Sequence, residues 1–422
     1  MESKTSIRRL CKALCAASLA LLCVNFAPFE GKDSLNLPLC ALLSLSPLVL
    51  LIKEARVILP RIDVALALVC ACVFGMPVLF HPDAVRWSTM LFTCAYCVFF
   101  MMLARLVMIA RPEPADLLKL IRVLVYAYTV ALIVQQVCQI TGLPVPYPSK
   151  LCQGYPWWKL NSLAAEPSHM SLTVCMLMFF YTQTVRVTEP RQSLCKCIVR
   201  CKWLWLCFVW TICTIPIATS LLFSPLCLLP FVNRRNAPWA AAAAATVIAA
   251  VLFTPVGNLE QASRLRDTTV AIFTTDENGL IEADESMAGR IVPTIRGVRA
   301  TTTDLSALIT GHGSDAATHD FPTSPGHMRV EGSAGFFNMW YNYGALCALC
   351  FWAAIFIVTV THRRPMTVVT FLIALLMSGD YNVQFIWQIM AFSMIFKYTV
   401  CGDHKLLETL RRRPSSPSLP TE

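Results

Sequence analysis

The chain has 422 residues, 56% of them hydrophobic and only 14% charged, with a net charge of +10. That balance excludes an ordinary soluble globular protein, in which about 25% of residues are charged. It also excludes a nucleic-acid partner, because the cations fall in short connections between apolar runs, where membrane topology places them.

Taken in chain order, apolar stretches suited to a hydrocarbon core recur at 10–28, 37–52, 62–80, 88–110, 116–141, 167–185, 203–218, 220–233, 237–253, 335–360, 366–378 and 383–400. They predict an all-α fold, a polytopic transmembrane helical bundle of about twelve spans with the lipid bilayer as its solvent. The N-terminus is basic and then apolar from Ala13 to Ala27, with no small-x-small cleavage site, and reads as an uncleaved anchor. Cations mark every second connection. Arg8, Arg9 and Lys12 precede span 1; Lys53, Arg56 and Arg61 follow span 2; Arg111, Lys119 and Arg122 follow span 4. Arg186, Arg191, Lys196, Arg200 and Lys202 follow span 6, Arg234 and Arg235 follow span 8, and Arg363 and Arg364 follow span 10. Arg411 to Arg413 close the chain, so both termini are expected in the cytoplasm.

Parity depends on 203–233, which reads either as one long helix kinked at Pro216 and Pro225 or as two helices turning at Thr219 and Ser220. The segment 254–334 decides for two helices: with six Arg, no Lys and eleven acidic residues it has an extracytoplasmic composition. The chain then divides into spans 1 to 9 over 1–253, a large, partly helical periplasmic loop over 254–334, spans 10 to 12 over 335–400, and a tail over 401–422. The twenty Cys fall mostly singly within apolar spans, where Cys acts as a small hydrophobe, and Cys195, Cys197 and Cys201 lack a matching ligand set. No metal and no cofactor is expected.

Function is expected where polar residues are costly or where a loop exceeds what connection requires. The first such place is Glu166-Pro167-Ser168-His169, where proline at the first helical position opens span 6 and sets an acid and a histidine at its outer mouth. A helix start with interfacial Trp157 and Trp158 accounts for most of it and leaves His169 unexplained. The second is the loop 254–334, whose cations are all Arg, among them Arg264, Arg290 and Arg296, the residue type that grips phosphate bidentately. Gly311-His312-Gly313 in the same loop allows close backbone approach beside a proton-transferring imidazole. The plainer account of the loop is a solvated segment whose Arg and Glu pair with one another. The third is the start of span 10, with Asn338, Trp340, Tyr341, Asn342, Tyr343 and Gly344, together with Asp380 and Asn382; Asn and Tyr suit sugar hydroxyls, and Trp and Tyr also suit an interfacial belt.

In order and spacing, residues 150–400 resemble the bacterial oligosaccharide repeat-unit polymerases and O-antigen ligases. Asn161 to His169 is similar to that family's Glu-Pro-Ser segment, Ser286 to Arg290 to its Ser-x-x-x-Arg, Gly311-His312-Gly313 to its Gly-x-Gly, and Phe336 to Gly344 to its Asn and Tyr-Gly spacing. Where many members carry Ser-Arg after the central hairpin, this chain has Ser220-Leu221.

The resemblance implies a glycosyltransferase of the bacterial inner membrane that moves a glycan from an undecaprenyl-diphosphate carrier to an acceptor sugar on the periplasmic side. Arg290, with Arg296 or Arg264, would hold the diphosphate leaving group, and His312 or His169 would deprotonate the acceptor hydroxyl with Glu166 orienting it. Asn338 and Tyr341 would bind sugar. Polymerase and ligase both fit, with polymerase preferred for the Glu-Pro-Ser-His form; a chain-length regulator is a candidate partner. A lipid-linked oligosaccharide flippase is the alternative from another class and should show broken or charged helices at mid-membrane. An assembly protein for polysaccharide export is a further one, and it would tolerate loss of Arg290 and His312.

Overall fold

The computed structural model describes residues 2–24, 61–146, 158–164, 166–215, 223–233, 235–238, 305–316, 335–361, 366–377 and 384–402, with scattered positions between 241 and 300 and with Asp320 and Arg364. Among the described residues the architecture is all-helical. We number the helices α1 (Glu2–Cys23), α2 (Arg61–Phe80), α3 (Trp87–Ala110), α4 (Pro114–Thr141), α5 (Pro167–Thr188), α6 (Leu194–Arg200), α7 (Lys202–Thr214), α8 (Glu277–Ala283), α9 (Leu305–Thr310), α10 (Gly335–Thr359), α11 (Met366–Met377) and α12 (Gln384–Thr399).

Five helices, α2, α3, α4, α5 and α10, are long and apolar enough to cross a membrane, and α6 with α7 forms a sixth candidate broken by a 96° bend. Their outward faces carry Leu68, Leu91, Val130, Val137, Leu206 and Leu349, all exposed. Apolar surface on that scale is stable against hydrocarbon and not against water. Span 2 at 37–52 and most of span 9 at 237–253 lie outside the described residues.

The helix starts follow local chemistry. Pro114 opens α4 and Glu113 and Asp116 form a reciprocal cap, the Glu113 N–H donating to Asp116 Oδ2 at 2.8 Å. Pro167 opens α5 as its position predicts. The second helix expected over 220–233 is not formed where the chain is described: Ser224–Cys227 and Leu229–Phe231 are two short 3-10 turns. Pro225 and Pro230 each remove an amide and crowd the preceding turn, and five residues apart they leave no room for a continuous α-helix.

Helix α5 is the centre of the bundle, packed against α4, α7, α12 and these turns. Its most apolar window is 89% buried, against 39% for α4. Enclosure explains why it can carry Thr182 and Thr184, whose hydroxyls donate to the carbonyls of Phe179 and Phe180. Helix α10 packs on α2, α9, α11 and α12, and α1 packs on α3 and α12.

The alternating helices give the bundle two ends. At one, Arg8 donates to the carbonyls of Ala110 and Arg111, Lys12 pairs with Asp116 at 2.8 Å, and Arg200 pairs with Glu189 at 2.7 Å. Lys397 of α12 also donates to the terminal carbonyls of α10, Ile357 (2.7 Å) and Val360, supplying positive charge where that helix ends. One turn inside this end, Arg105 of α3 and Asp63 of α2 form a buried ion pair at 2.5 Å. The opposite end holds the α2–α3 turn, 158–164, the start of α5 and the start of α10. We call them the basic end and the far end.

Candidate functional site

The far end is organised around a break in α10. Gly344 has φ 82° and ψ 170°, which interrupts the helix. A break there takes the carbonyls of the preceding turn away from the amides four residues on, and an apolar setting requires other donors for them. The Gly-His-Gly segment supplies those donors. The His312 N–H donates to Tyr341 O at 2.9 Å and the Gly313 N–H to Asn342 O at 3.0 Å. The fit is backbone against backbone: a Cβ on Gly344 would lie 1.9 Å from Ile309 O, and one on Gly311 would lie 2.4 Å from Asn342 O. Trp340 Nε1 donates to Leu308 O at 3.0 Å and closes the same seam.

This docking fixes the imidazole of His312. Its ring stacks on Tyr341 with centroids 4.0 Å apart, and Nδ1 lies 3.2 Å from Tyr341 O. A carbonyl oxygen only accepts, so the contact is a hydrogen bond when Nδ1 carries the proton, the neutral tautomer that leaves Nε2 as the acceptor nitrogen. The Tyr341 hydroxyl donates to Asp320 Oδ2 at 2.8 Å. Asn338 and Asn342 are buried and joined, Asn342 Nδ2 donating to Asn338 Oδ1 at 2.8 Å. Their place in α10 is in the interior seam and not on an exposed belt.

The α2–α3 turn completes this group. The Ser314 N–H donates to Ala84 O at 3.1 Å, Thr89 Oγ1 donates to Asp315 Oδ2 at 2.6 Å, and Arg86 lies 3.8 Å from the same carboxylate. Sequence reasoning passed over Arg86, Thr89, Ser314, Asp315 and Asp320. The available signal was that Ser314 and Asp315 directly continue Gly-His-Gly; the partners in the 81–89 turn have no sequence signal.

Glu166 and His169 form a second group. His169 Nε2 lies 3.3 Å from Glu166 Oε1, and the Ser168 hydroxyl also donates to that oxygen. With Glu166 and His169 27% and 36% exposed, the pair opens to the surface. The segment before it is latched to α4: Gln135 Oε1 accepts from the Ser162 N–H at 2.8 Å, Ser162 Oγ donates to Tyr128 O at 2.6 Å, and Gln136 Nε2 donates to Trp158 O at 2.8 Å. His169 rides on α5 and His312 on the α9–α10 seam, and α5 and α10 both pack on α12.

The arginines expected to hold a diphosphate divide. Arg264 and Arg290 lie outside the described residues, as do Asp380 and Asn382. Arg296 is described and bonds Glu277 at 3.0 Å, with Arg299 on the other Glu277 oxygen at 3.1 Å. That is the pairing of Arg with Glu expected of a solvated loop, built here beside a small apolar cluster of Ala271, Leu280, Ala288 and Val292. No protein-family model matches this chain, and no curated protein matches it either.

Proposed function

We propose that the chain polymerises undecaprenyl-diphosphate-linked oligosaccharide repeat units on the periplasmic side of a bacterial inner membrane. The orientation follows from charge: the end rich in Arg and Lys faces the cytoplasm, with both termini, and the far end with 254–334 faces the periplasm, in a bundle of about twelve passages of which that at 220–233 is built on 3-10 turns and not on a second α-helix. The observation that carries the site is His312, held by Tyr341 with Nε2 as its basic nitrogen at the far end.

In this reaction Nε2 of His312 takes the proton of the acceptor hydroxyl as its oxygen forms a bond to the anomeric carbon of the donor. The bond from that carbon to the diphosphate oxygen breaks, and undecaprenyl diphosphate leaves with the electron pair. Guanidinium groups stabilise the developing charge without a metal, Arg290 first, with Arg296 or Arg264. Engaging Arg296 requires it to leave or share Glu277. Glu166 and His169 flank the acceptor side, with His169 the alternative base. Asn338 and Tyr341 set the seam in which sugar hydroxyls bind.

A second reading is a flippase for the same lipid-linked glycan. It calls for helices broken at mid-membrane, whereas the break of α10 at Gly344 belongs to the far end and the 96° bend between α6 and α7 to the basic end, so neither favours it over polymerisation.

The test is a gel of surface and lipid-linked glycans from a deletion strain complemented with wild type, Arg290→Ala and His312→Ala. Single repeat units on the surface, rescued by wild type and by neither variant, support polymerisation. Long chains accumulating on the lipid carrier indicate a ligase, repeat units trapped in the cytoplasmic leaflet indicate a flippase, and an unchanged ladder rules out all three.

A further inference from the structure

The corner between α5 and α7 at the basic end differs in build from the other described connections. Helix α6 is a single short piece turned 96° away from α7, with Cys201 in a non-helical conformation between them. If α7 crosses the bilayer, a helix at right angles to it lies along the bilayer surface. Its side chains fit that position. Cys197 is buried against the bundle, while Ile198 and Val199 are exposed, Val199 to 74%. Trp203 is exposed one turn further on, with the Lys202 ammonium 5.6 Å from its ring. Exposed aliphatics next to Trp and Lys mark the level where hydrocarbon gives way to headgroups.

The polar side of the corner is an open recess of about 630 Å³ lined by Glu189, Pro190, Arg191, Gln192, Lys196 and Arg200. Three of these residues are already committed to the frame. Arg200 is held by both oxygens of Glu189 at 2.7 and 2.9 Å, and Pro190 O accepts from Arg186. Arg191 and Lys196 are exposed cations at the rim, and neither has a carboxylate within ion-pair distance among the described residues.

We infer that this corner binds the headgroup of a net-anionic glycerophospholipid such as phosphatidylglycerol, with Arg191 and Lys196 on the phosphate. Two cations match one phosphate diester, and Ile198, Val199 and Trp203 reach the acyl region of the same lipid. The inference requires the bundle to lie in a bilayer and is independent of the glycan chemistry proposed above.

The experiment is native mass spectrometry and thermal unfolding of the full chain in detergent, titrated with phosphatidylglycerol, phosphatidylcholine, or inorganic phosphate. Wild type is expected to retain and be stabilised by phosphatidylglycerol and not by the other two. Arg191→Gln with Lys196→Gln should weaken that binding about thirtyfold, the effect of taking two cations from an anionic headgroup. Arg191→Lys with Lys196→Arg should restore it. Arg9→Gln with Lys119→Gln removes equal charge from exposed positions at the same end and should leave it unchanged. Equal binding of phosphatidylcholine, equal loss in the two charge-removed variants, or equal stabilisation by inorganic phosphate would each overturn the inference.

Discussion

Replacing Gly344 by alanine tests the seam on which the site is built. Its φ of 82° and ψ of 170° belong to a region that only glycine occupies readily, which costs alanine roughly 1–3 kcal/mol. The added methyl would also meet Ile309 O at 1.9 Å, Ile309 C at 2.6 Å and Thr310 C at 3.1 Å. All three are backbone atoms, so no rotamer change relieves them. Either α9 retreats or α10 straightens, and both movements break the bonds from the His312 and Gly313 amides to Tyr341 O and Asn342 O. Two buried carbonyls left without donors add about 1–3 kcal/mol each, for a total loss of about 3–9 kcal/mol. At Gly75, in the interior of α2, an added methyl would meet nothing within 4 Å, and the backbone there is ordinary helix. Gly75→Ala is therefore expected to be neutral or to gain about 0.5–1 kcal/mol. Thermal unfolding of the two variants in the same detergent should separate them widely. A Gly344→Ala protein as stable as wild type, with Gly75→Ala no better, would refute the backbone docking.

Asp63→Ala should cost about 3–5 kcal/mol by stranding the Arg105 guanidinium inside the bundle, whereas Asp63→Leu with Arg105→Leu should recover much of that loss in unfolding measurements. Lys397→Met removes the donor to Ile357 O and Val360 O and should destabilise by about 1–3 kcal/mol, seen as a lower Tm in detergent. Gln135→Leu removes the acceptor of the Ser162 N–H and the donor to Pro146 O, so the latch over 158–164 should loosen by about 1–3 kcal/mol. Limited trypsin digestion at Lys159 reports that loosening, and an unchanged cleavage rate counts against the latch.

The helices that alternate between the two ends were legible because their signals are local: Pro167 marks a helix start, and apolar length marks a crossing. The failure at 220–233 has a local cause that apolar content hid, since hydropathy does not register the missing amides of Pro225 and Pro230. The bend at Cys201 was equally invisible, although Ser193 accepting from the Lys196 N–H gives α6 an ordinary capped start. Asp63 and Arg105 stood in the sequence as charges within apolar spans, a cost that calls for a partner, yet their pairing across 42 positions is a property of packing. The same holds at the site. The Gly-His-Gly and Asn-Met-Trp-Tyr-Asn segments were both readable as polar and glycine-bearing, but the insertion of one into the break of the other, and the Arg86, Thr89 and Asp315 group beside it, arise only when α2, α9 and α10 meet.

The most direct measurement uses purified protein in lipid vesicles with a synthetic undecaprenyl-diphosphate-linked repeat unit as both donor and acceptor, followed by mass spectrometry. The account predicts products of two and more repeat units on one carrier, with one undecaprenyl diphosphate released per bond formed, for wild type and not for His312→Ala. Donor left at a single repeat unit by folded wild-type protein, or equal chain growth with His312→Ala, would contradict it.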